Sequence, residues 1–257
     1  MSHRPFVGVS LKAYLGFHET MEWTKTLADH VGGHPAVRSG DIEVVVFPST
    51  PFLSSVVELL DSTPISVGAQ DVSAFASGAF TGETIASHLA EMGVSYGEIG
   101  HAERRDYFSE SGETIGRKLR QVVDSGLAPL LCIGEGKNVG VTRGAEECIA
   151  QIDDALEFVA DHLVGDSLVV AYEPVWAIGA AKPAPEDHVR QMYGRIRHHL
   201  DQVLGPQVGR VVYGGSAGPG LLGRISPPLD GLFLGRFAHK VSNIAQVLDE
   251  VALISSE

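Results

Sequence analysis

The sequence predicts an α/β protein and favours a single closed (βα)8 barrel over an open, doubly wound sheet. The chain has 257 residues, and roughly 250 residues is an ordinary size for one such barrel. Runs such as Val44–Val46 and Leu168–Val170 are apolar at every position, which is typical of parallel strands covered by helices on both faces. Periodicity alone leaves both architectures open, and the even number of strand-like runs favours the barrel.

Strand-like runs and helix-compatible stretches alternate along the whole chain. The runs that predict strands are Phe6–Val9, Glu43–Phe47, Ile65–Val67, Val94–Ile99, Ala128–Ile133, Leu168–Ala171, Arg210–Val212 and Gly231–Leu234. The stretches that predict helices are Thr20–Val31, Leu53–Leu60, Thr84–Glu91, Glu113–Asp124, Arg143–His162, Pro185–Leu204, Gly218–Arg224 and Val241–Ile254. No stretch has the composition of a linker, so we expect one domain over residues 1–257.

Composition restricts the partners and the location of the protein. Lys and Arg number 19 and Asp and Glu 32, which gives a net charge of −13 and disfavours nucleic acid or an anionic membrane as partner. A small anionic substrate is compatible with this charge, because backbone N–H groups bind phosphate within acidic proteins. We expect a cytoplasmic protein, because no signal segment or membrane-spanning apolar run is evident. Cys132 and Cys148 are too few for a disulfide framework, so we expect structural roles for both.

Chemically active side chains follow several predicted strands, at the barrel edge where catalytic groups of this fold lie. Lys12 follows the first strand, His101 the fourth and Glu173 the sixth, while glycine turns at Gly214–Ser216 and Gly235–Arg236 follow the last two. A cation, an imidazole, a carboxylate and phosphate-cradling N–H groups predict acid–base chemistry on a small anion. No cluster at these strand ends offers three metal ligands, so we expect no metal.

These residues lie in segments that resemble the triosephosphate isomerase family over nearly the whole chain. The matching segments are Gly68–Ser73, Gly78–Glu83, Ile99–Arg105, Cys132–Glu135, Ala171–Gly179 and Tyr213–Ser216. The most specific are Gly-His-x-Glu-Arg-Arg around His101 and Ala-Tyr-Glu-Pro-Val-Trp-Ala-Ile-Gly around Glu173. The resemblance implies a TIM barrel and a cofactor-independent isomerase of a small phosphorylated sugar.

The resemblance also implies a role for each catalytic side chain. Glu173 would move a proton between adjacent carbons through an enediolate, while His101 polarises the substrate oxygens and Lys12 supplies positive potential. A helix N-terminus that keeps the histidine neutral is the established arrangement in this family. Glu103 would orient Lys12 through an ion pair.

The remaining implied features concern the phosphate, the lid and the partner subunit. The phosphate would bind N–H groups near four residues of the surrounding loops, which are Gly179, Ser216, Gly235 and Arg236. The loop Pro174–Ala184 would close over the substrate, with its hinge anchored by the packing of Trp176. The family resemblance implies a homodimer in which the loop Asp71–Phe80 inserts into the partner.

Three positions depart from the usual family pattern. Ser10 stands where the family usually has Asn, Ala102 where it has Ser, and Gly235–Arg236 where it has two glycines. Ser10 and Ala102 are both smaller than the residues they replace, so we expect them to widen one wall at the reacting end of the substrate. That space would admit an additional hydroxymethyl group, while the Arg236 side chain would bind an oxygen or fill a wall.

The departures resemble the tetrulose-phosphate branch of the family, which interconverts L-erythrulose 1-phosphate and D-erythrulose 4-phosphate. Ser10, the Pro219–Gly220 pair and the Asp230–Arg236 segment carry this resemblance. We therefore expect L-erythrulose 1-phosphate as substrate, with dihydroxyacetone phosphate and D-glyceraldehyde 3-phosphate as the alternative pair. A non-catalytic phosphosugar-binding barrel is a more remote alternative, disfavoured because all three catalytic side chains are present.

Overall fold

Parallel strands close into a barrel in chain order, as the sequence predicts. The computed structural model describes residues 3–159, 163, 167–180, 183–206, 208–225 and 229–255. The strands are β1 Phe6–Ser10, β2 Glu43–Phe47, β3 Ser66–Ala69, β4 Tyr96–Ile99, β5 Ala128–Ile133, β6 Val169–Tyr172, β7 Arg210–Tyr213 and β8 Gly231–Leu234. Gly8 of β1 pairs with Val45 of β2 on one side and with Phe233 of β8 on the other. This closure confirms the (βα)8 barrel and excludes the doubly wound sheet.

Helices connect the strands and pack around the barrel. They are α1 Phe17–His30, α2 Pro35–Arg38, α3 Leu53–Leu60, α4 Ala86–Met92, α5 Ala102–Phe108, α6 Gly112–Asp124, α7 Val141–Leu156, α8 Glu186–Val203, α9 Leu221–Ile225 and α10 Val241–Ser255. Short 3-10 helices span Thr50–Phe52, Val175–Ala177 and Arg236–His239. Within the described ranges, no helix has the length and apolar character needed to cross a membrane.

Every predicted strand and helix is present, but the helix predicted over Arg143–His162 ends at Leu156. Residues 160–162 of that prediction lie outside the described part of the chain. Two helices, α2 and α5, are absent from the prediction. The first is a single turn, and the second contains no buried residue, so neither carries an apolar period. The segment that follows β4 is therefore a helix, and His101 lies at its N-terminus.

Alternation along the strands divides the apolar side chains between the barrel interior and the helix-covered outer face. The interior cluster comprises Phe6, Val45, Phe47, Tyr96, Leu130, Cys132, Val169, Ala171, Val212 and Phe233. Glycines make room for the rings: a Cβ at Gly8 would lie 2.6 Å from the Phe233 ring, and one at Gly68 would lie 2.2 Å from the Phe47 ring. Because side chains fill the interior, the barrel is no pore, and a substrate is confined to one end.

A buried polar group occupies the amino end of the barrel. The Arg210 guanidinium donates to Glu43 Oε2 at 2.6 Å and to the Tyr96 hydroxyl at 3.1 Å, and its Cζ lies 5.1 Å from the centre of the Phe6 ring. The charge of Arg210 is thus paired and stacked within the barrel floor. This leaves the carboxyl end as the face on which a site is built.

Candidate active site

A cavity of about 640 Å³ lies at the carboxyl end of the barrel. Of the residues expected to form the site, it is lined by Ser10, Lys12, Glu103, Glu173, Gly179, Ser216, Gly235 and Arg236. His101 and Ala102 do not line it. His101 lies behind Glu173, with 3.3 Å between His101 Nε2 and Glu173 Oε2. The structure therefore brings the expected residues together, with the imidazole covered by the carboxylate.

The imidazole of His101 is oriented by the start of α5. His101 is the N-cap residue of that helix, and its Nδ1 accepts a hydrogen bond from the backbone N–H of Glu103 at 3.1 Å. A neutral ring that accepts at Nδ1 carries its proton on Nε2, which is the nitrogen that faces Glu173. The same backbone N–H opposes a second proton, because Nδ1 is already used as an acceptor.

Two carboxylates act on the ionisation of this ring. Burial lowers the pKa of His101, but the hydrogen bond and charge of Glu173 and the charge of Glu98 outweigh burial and raise it. The neutral imidazole that polarises a carbonyl is therefore favoured when Glu173 moves away from the ring. Contact between these two side chains couples the position of the base to the protonation of the histidine.

Lys12 is held in an uncommon backbone conformation and paired with Glu103. Its φ of 48° lies in the left-handed region, which is unusual for a residue other than glycine. The Ser49 hydroxyl and the Gln70 amide donate to the Lys12 carbonyl at 2.8 and 2.9 Å and hold this turn. Lys12 Nζ lies 2.6 Å from Glu103 Oε1, so the expected ion pair is present. Burial lowers the pKa of Lys12, but the hydrogen bond and charge of Glu103 raise it above its ordinary value, so the ammonium stays charged.

Two glycines create the space that Glu173 occupies at the end of β6. A Cβ at Gly214 would lie 2.3 Å from Glu173 Oε1, and one at Gly134 would lie 1.9 Å from the Glu173 carbonyl oxygen. The backbone N–H of Glu173 donates to the Ile133 carbonyl at 2.8 Å and continues the barrel pairing up to this residue. The carboxylate is thus placed by rigid strand ends rather than by a free loop.

Trp176 begins the lid and is held mainly through a buried carboxylate. Its indole N–H donates to Glu135 Oε1 at 2.8 Å, and the same oxygen lies 3.1 Å from the Tyr172 hydroxyl and 3.2 Å from His188 Nε2. Trp176 also packs against the hydrophobic core, as expected, and the hydrogen-bond network adds to this packing. Trp176 does not line the cavity. Residues 181 and 182 of the lid lie outside the described part of the chain.

The other end of the lid contacts the expected phosphate turns. The Ser216 hydroxyl lies 3.0 Å from the Ala177 carbonyl and 3.1 Å from the Ala180 carbonyl, so it holds the lid and leaves the backbone N–H for an anion. Arg236 Nη2 would lie 3.4 Å from a Cβ at Gly179. The guanidinium of Arg236 therefore reaches from the last phosphate turn to the lid.

Ser10 and Ala102 do not share one wall, contrary to the expectation from the sequence. Ser10 lines the large cavity, whereas Ala102 lines a second cavity of about 20 Å³ on the other side of Glu173. The physical reason is that Ala102 is the first residue of α5, which leads away behind the base. Only Ser10 of these two changes the wall of the large cavity.

Glu98 on β4 is a polar residue of the site that is not among the residues predicted from the sequence. Glu98 is 2% exposed, and its Oε2 lies 3.3 Å from Ser10 Oγ while its Oε1 lies 4.0 Å from Cys132 Sγ. Burial raises the pKa of Glu98 to about 7. The signal in the sequence is a carboxylate inside the buried run Val94–Ile99, where an apolar residue is expected.

Both cysteines are free and buried, as expected. Burial raises the pKa of each thiol well above its ordinary value, so both stay protonated at neutral pH. Among the residues that the structure describes, no group of three or more His, Cys, Asp or Glu side chains is placed to hold a metal ion.

A closed (βα)8 barrel with a lysine, an imidazole and a carboxylate at its carboxyl end has the groups that acid–base chemistry beside a carbonyl requires. The family model of triosephosphate isomerase matches residues 5–251. The chain belongs to the triosephosphate isomerase family.

Relatives differ in the substrate that their names state. L-erythrulose-1-phosphate isomerase of Pectobacterium atrosepticum is 40% identical over 100% of this chain and 99% of its own length. Triosephosphate isomerase of Rhodopirellula baltica is 33% identical over 96% of this chain and 98% of its own. Probable triosephosphate isomerase 2 of Listeria monocytogenes is 30% identical over 97% of this chain and 98% of its own length.

Replacing Glu98 by Gln will change how stability depends on pH. The pKa of Glu98 is about 7 in the folded protein against an ordinary 4.5. Since the folded-state pKa is the higher one, the stability that this group contributes is complete below about pH 4.5 and is lost as pH rises through about 7. That difference corresponds to ~3 kcal/mol. Relative to the parent, Glu98→Gln should therefore gain up to ~3 kcal/mol over this window.

Urea unfolding at about pH 5 and about pH 8 measures this gain. The control for the loss of a charge is Glu58→Gln, because Glu58 is exposed. The difference in unfolding free energy between this variant and the parent should be the same at both pH values. An equal difference for Glu98→Gln at both values would show that this carboxyl does not titrate as described.

Proposed function

We propose that the protein is a cofactor-independent isomerase that shifts a carbonyl between adjacent carbons of a short phosphorylated ketose. The observation that carries this proposal is the contact of Glu173 Oε2 with His101 Nε2 at 3.3 Å, beside a cavity lined by Lys12. A C–H next to a carbonyl is weakly acidic, so its removal needs a positioned base and stabilisation of the enediolate oxygens. These three side chains supply both.

In this mechanism Glu173 is the base and moves one proton between two carbons. An incoming substrate separates Glu173 from His101, after which the Nε2–H of the neutral ring donates to the substrate oxygens. Lys12, held by Glu103 at 2.6 Å, places a positive charge beside the developing enediolate. The carboxylic acid of Glu173 then returns the proton to the neighbouring carbon. The hydroxyl proton passes from one substrate oxygen to the other through His101 Nε2, so one C–H and one O–H are broken and one of each is formed, and no cofactor is needed.

The phosphate anchors the substrate at the opposite end of the cavity. We assign this anchor to the backbone N–H groups near Gly179, Ser216, Gly235 and Arg236, all of which line the cavity. Ile178, Gly179, Ala180 and Pro183 of the lid line the same cavity, and closure of the lid would exclude water from the enediolate. The side chain of Arg236 lies between this turn and the lid, where it can bind an oxygen of the substrate.

We propose L-erythrulose 1-phosphate and D-erythrulose 4-phosphate as the substrate pair. This proposal is supported by the short Ser10 side chain in the cavity wall and by the 40% identity to an enzyme named for L-erythrulose 1-phosphate. Dihydroxyacetone phosphate and D-glyceraldehyde 3-phosphate are the alternative pair, supported by relatives named triosephosphate isomerase at 30–33% identity. The reaction belongs to polyol catabolism in the first case and to glycolysis in the second.

We further propose a cytoplasmic homodimer in which residues 1–257 form one domain. The loop from 71 to 80 supports the dimer, because Phe75 and Phe80 are 42% and 40% exposed and their rings stack at 4.3 Å. Exposed stacked rings at a loop tip are suited to burial against a partner. Free buried thiols at Cys132 and Cys148 support the reducing location.

Shortening the base tests its role. Glu173→Asp withdraws the carboxylate by one methylene, and a misplacement of ~1 Å costs about a hundredfold in rate. We expect kcat to fall at least about a hundredfold while KM changes little, because the base acts chiefly in the transition state. Steady-state kinetics measures both constants. An unchanged kcat would mean that Glu173 is not the base or that proton transfer is not limiting.

Isotope exchange separates an enzyme from a barrel that only binds phosphosugars. In deuterated water, the parent should incorporate solvent deuterium at the carbon beside the carbonyl, as followed by proton NMR. Glu173→Gln should keep phosphate-dependent binding and lose the exchange. Binding by the parent without any exchange would contradict the proposed enzyme and favour the non-catalytic alternative.

The choice between tetrulose and triose phosphate is tested at the wall of the large cavity. Ser10→Asn restores the larger side chain, which should clash with the extra hydroxymethyl group of the tetrulose phosphate. One such group is worth about 1–3 kcal/mol, so the ratio of kcat/KM values for the two substrates should move roughly ten- to two-hundredfold toward dihydroxyacetone phosphate.

Ala102→Ser is the matched control, because Ala102 lies on the other side of Glu173 and away from that wall. This variant should change kcat/KM for both substrates by the same factor, so the ratio of the two kcat/KM values should stay unchanged. A parent that already prefers dihydroxyacetone phosphate would instead favour an ordinary triosephosphate isomerase.

A further inference from the structure

The pair formed by Ser10 and Glu98 places a buried carboxyl directly beneath the reacting end of the cavity. Both residues point into the barrel, where Ser10 is 3% exposed and Glu98 is 2% exposed. Their side-chain oxygens are 3.3 Å apart, and Ser10 also lines the cavity. The hydroxyl therefore contacts the carboxyl on one side and the substrate space on the other.

A serine hydroxyl has a single hydrogen, so this pair has two arrangements. If Glu98 is ionised, the Ser10 hydroxyl donates its hydrogen bond to the carboxylate, and only the lone pairs of Ser10 Oγ face the substrate. If Glu98 is neutral, the acid donates to Ser10 Oγ, and the serine hydrogen is free to point into the cavity. The second arrangement suits an enediolate, which needs donors and is repelled by a carboxylate below it.

Groups of both charge signs surround Glu98, and burial has the largest effect on its pKa. Lys12 and His101 favour its ionised form, Glu173 opposes it, and the Cys132 thiol on β5 is itself held neutral. Burial outweighs the two cations and raises the pKa of Glu98 to about 7. A bound phosphorylated substrate adds negative charge and favours the neutral acid further.

We propose that Glu98 is a positioning residue which, as a neutral acid, donates to Ser10 Oγ and so directs the Ser10 hydrogen toward the oxygen that becomes negative in the enediolate. Ser10 is then a direct donor to the substrate, and Glu98 acts through it. The pair replaces the amide donor of the Asn that usually stands at position 10 in this family. This inference rests on the proposed isomerisation, but it does not depend on which ketose phosphate is the substrate.

A double-mutant cycle at about pH 6, where Glu98 is mainly neutral, tests whether Glu98 acts through Ser10. Glu98→Leu keeps the site filled but removes the donor, and it should lower kcat/KM by roughly tenfold, the value of one hydrogen bond. In a Ser10→Ala background the same change should cost less than about twofold, because the relay is already broken. Equal losses in the two backgrounds would overturn the proposal.

A pH profile separates this role from a merely structural one. Glu98→Gln retains an N–H donor toward Ser10 at every pH, whereas the parent loses its donor as the carboxyl ionises. The ratio of parent to Glu98→Gln kcat/KM should therefore fall about tenfold as pH rises through about 7. Taking the ratio at each pH cancels the titration of the substrate phosphate and of groups common to both proteins.

Val212→Ala is the matched control, since Val212 is an apolar, buried residue of the interior cluster of the barrel. The ratio of the parent kcat/KM to the Val212→Ala kcat/KM should not change with pH, even if the variant is less stable than the parent. A pH-independent ratio for Glu98→Gln, or a fall of the same size in Val212→Ala, would overturn the proposal.

Infrared difference spectra supply a readout that does not use turnover. The carbonyl stretch of a protonated carboxylic acid should be present in the parent at about pH 6, fade through about pH 7 and be missing from Glu98→Gln. Identical parent and variant spectra would overturn the proposal in an active enzyme. A parent that turns over no phosphorylated ketose would contradict the proposed function and this inference together, whereas active proteins without coupling would contradict the inference alone.

Discussion

Parallel pairing of β1 with β8 is the constraint on which the rest of the structure depends. It joins Gly8 to Phe233 and closes the strands into a ring, so that all of their carboxyl ends meet at one rim. Lys12, His101 and Glu173 are far apart in the chain and follow three different strands. Only closure brings them to one rim, where Lys12 and Glu173 line the cavity and His101 lies behind Glu173. The packed interior beneath them confines a substrate to this end of the barrel.

The site concentrates opposing charges within a protein of net charge −13. Lys12 is paired with Glu103, and His101 is covered by Glu173, so carboxylates hold both side chains in place. An anionic substrate therefore meets a site whose cationic groups are pre-oriented by carboxylates. Burial, assisted by the negative charge of Glu173, raises the pKa of the buried Glu98 carboxyl to about 7.

Much of the fold was predictable because its signals are local. Unalternating apolar runs mark strands buried on both faces, and the alternation with helical periods requires a layered α/β arrangement. Two helices were not predicted: α2 is a single turn, and α5 has no buried face and hence no apolar period. The side chains that we propose for catalysis could be singled out, since they lie in short, specific segments at strand ends.

Which distant side chains lie close together was harder to predict than which residues belong to the site. Ser10 and Ala102 appear equivalent as truncations in the sequence, yet Glu173 separates them, because one ends a strand and the other starts a helix. The contact of the Ser216 hydroxyl with the Ala177 and Ala180 carbonyls of the lid is another relation that no sequence pattern predicts.

The sequence by itself determined the fold class and the family, and it singled out Glu173, His101 and Lys12 as candidate site residues, because each of these depends on short-range pattern or motif. Tertiary structure decided which of these side chains touch and in what ionisation state. The pairing of Ser10 with Glu98 crosses the barrel from β1 to β4, and no local rule predicts it. Burial sets the charge of that carboxyl, and burial is a property of the closed barrel, not of the residues taken in order.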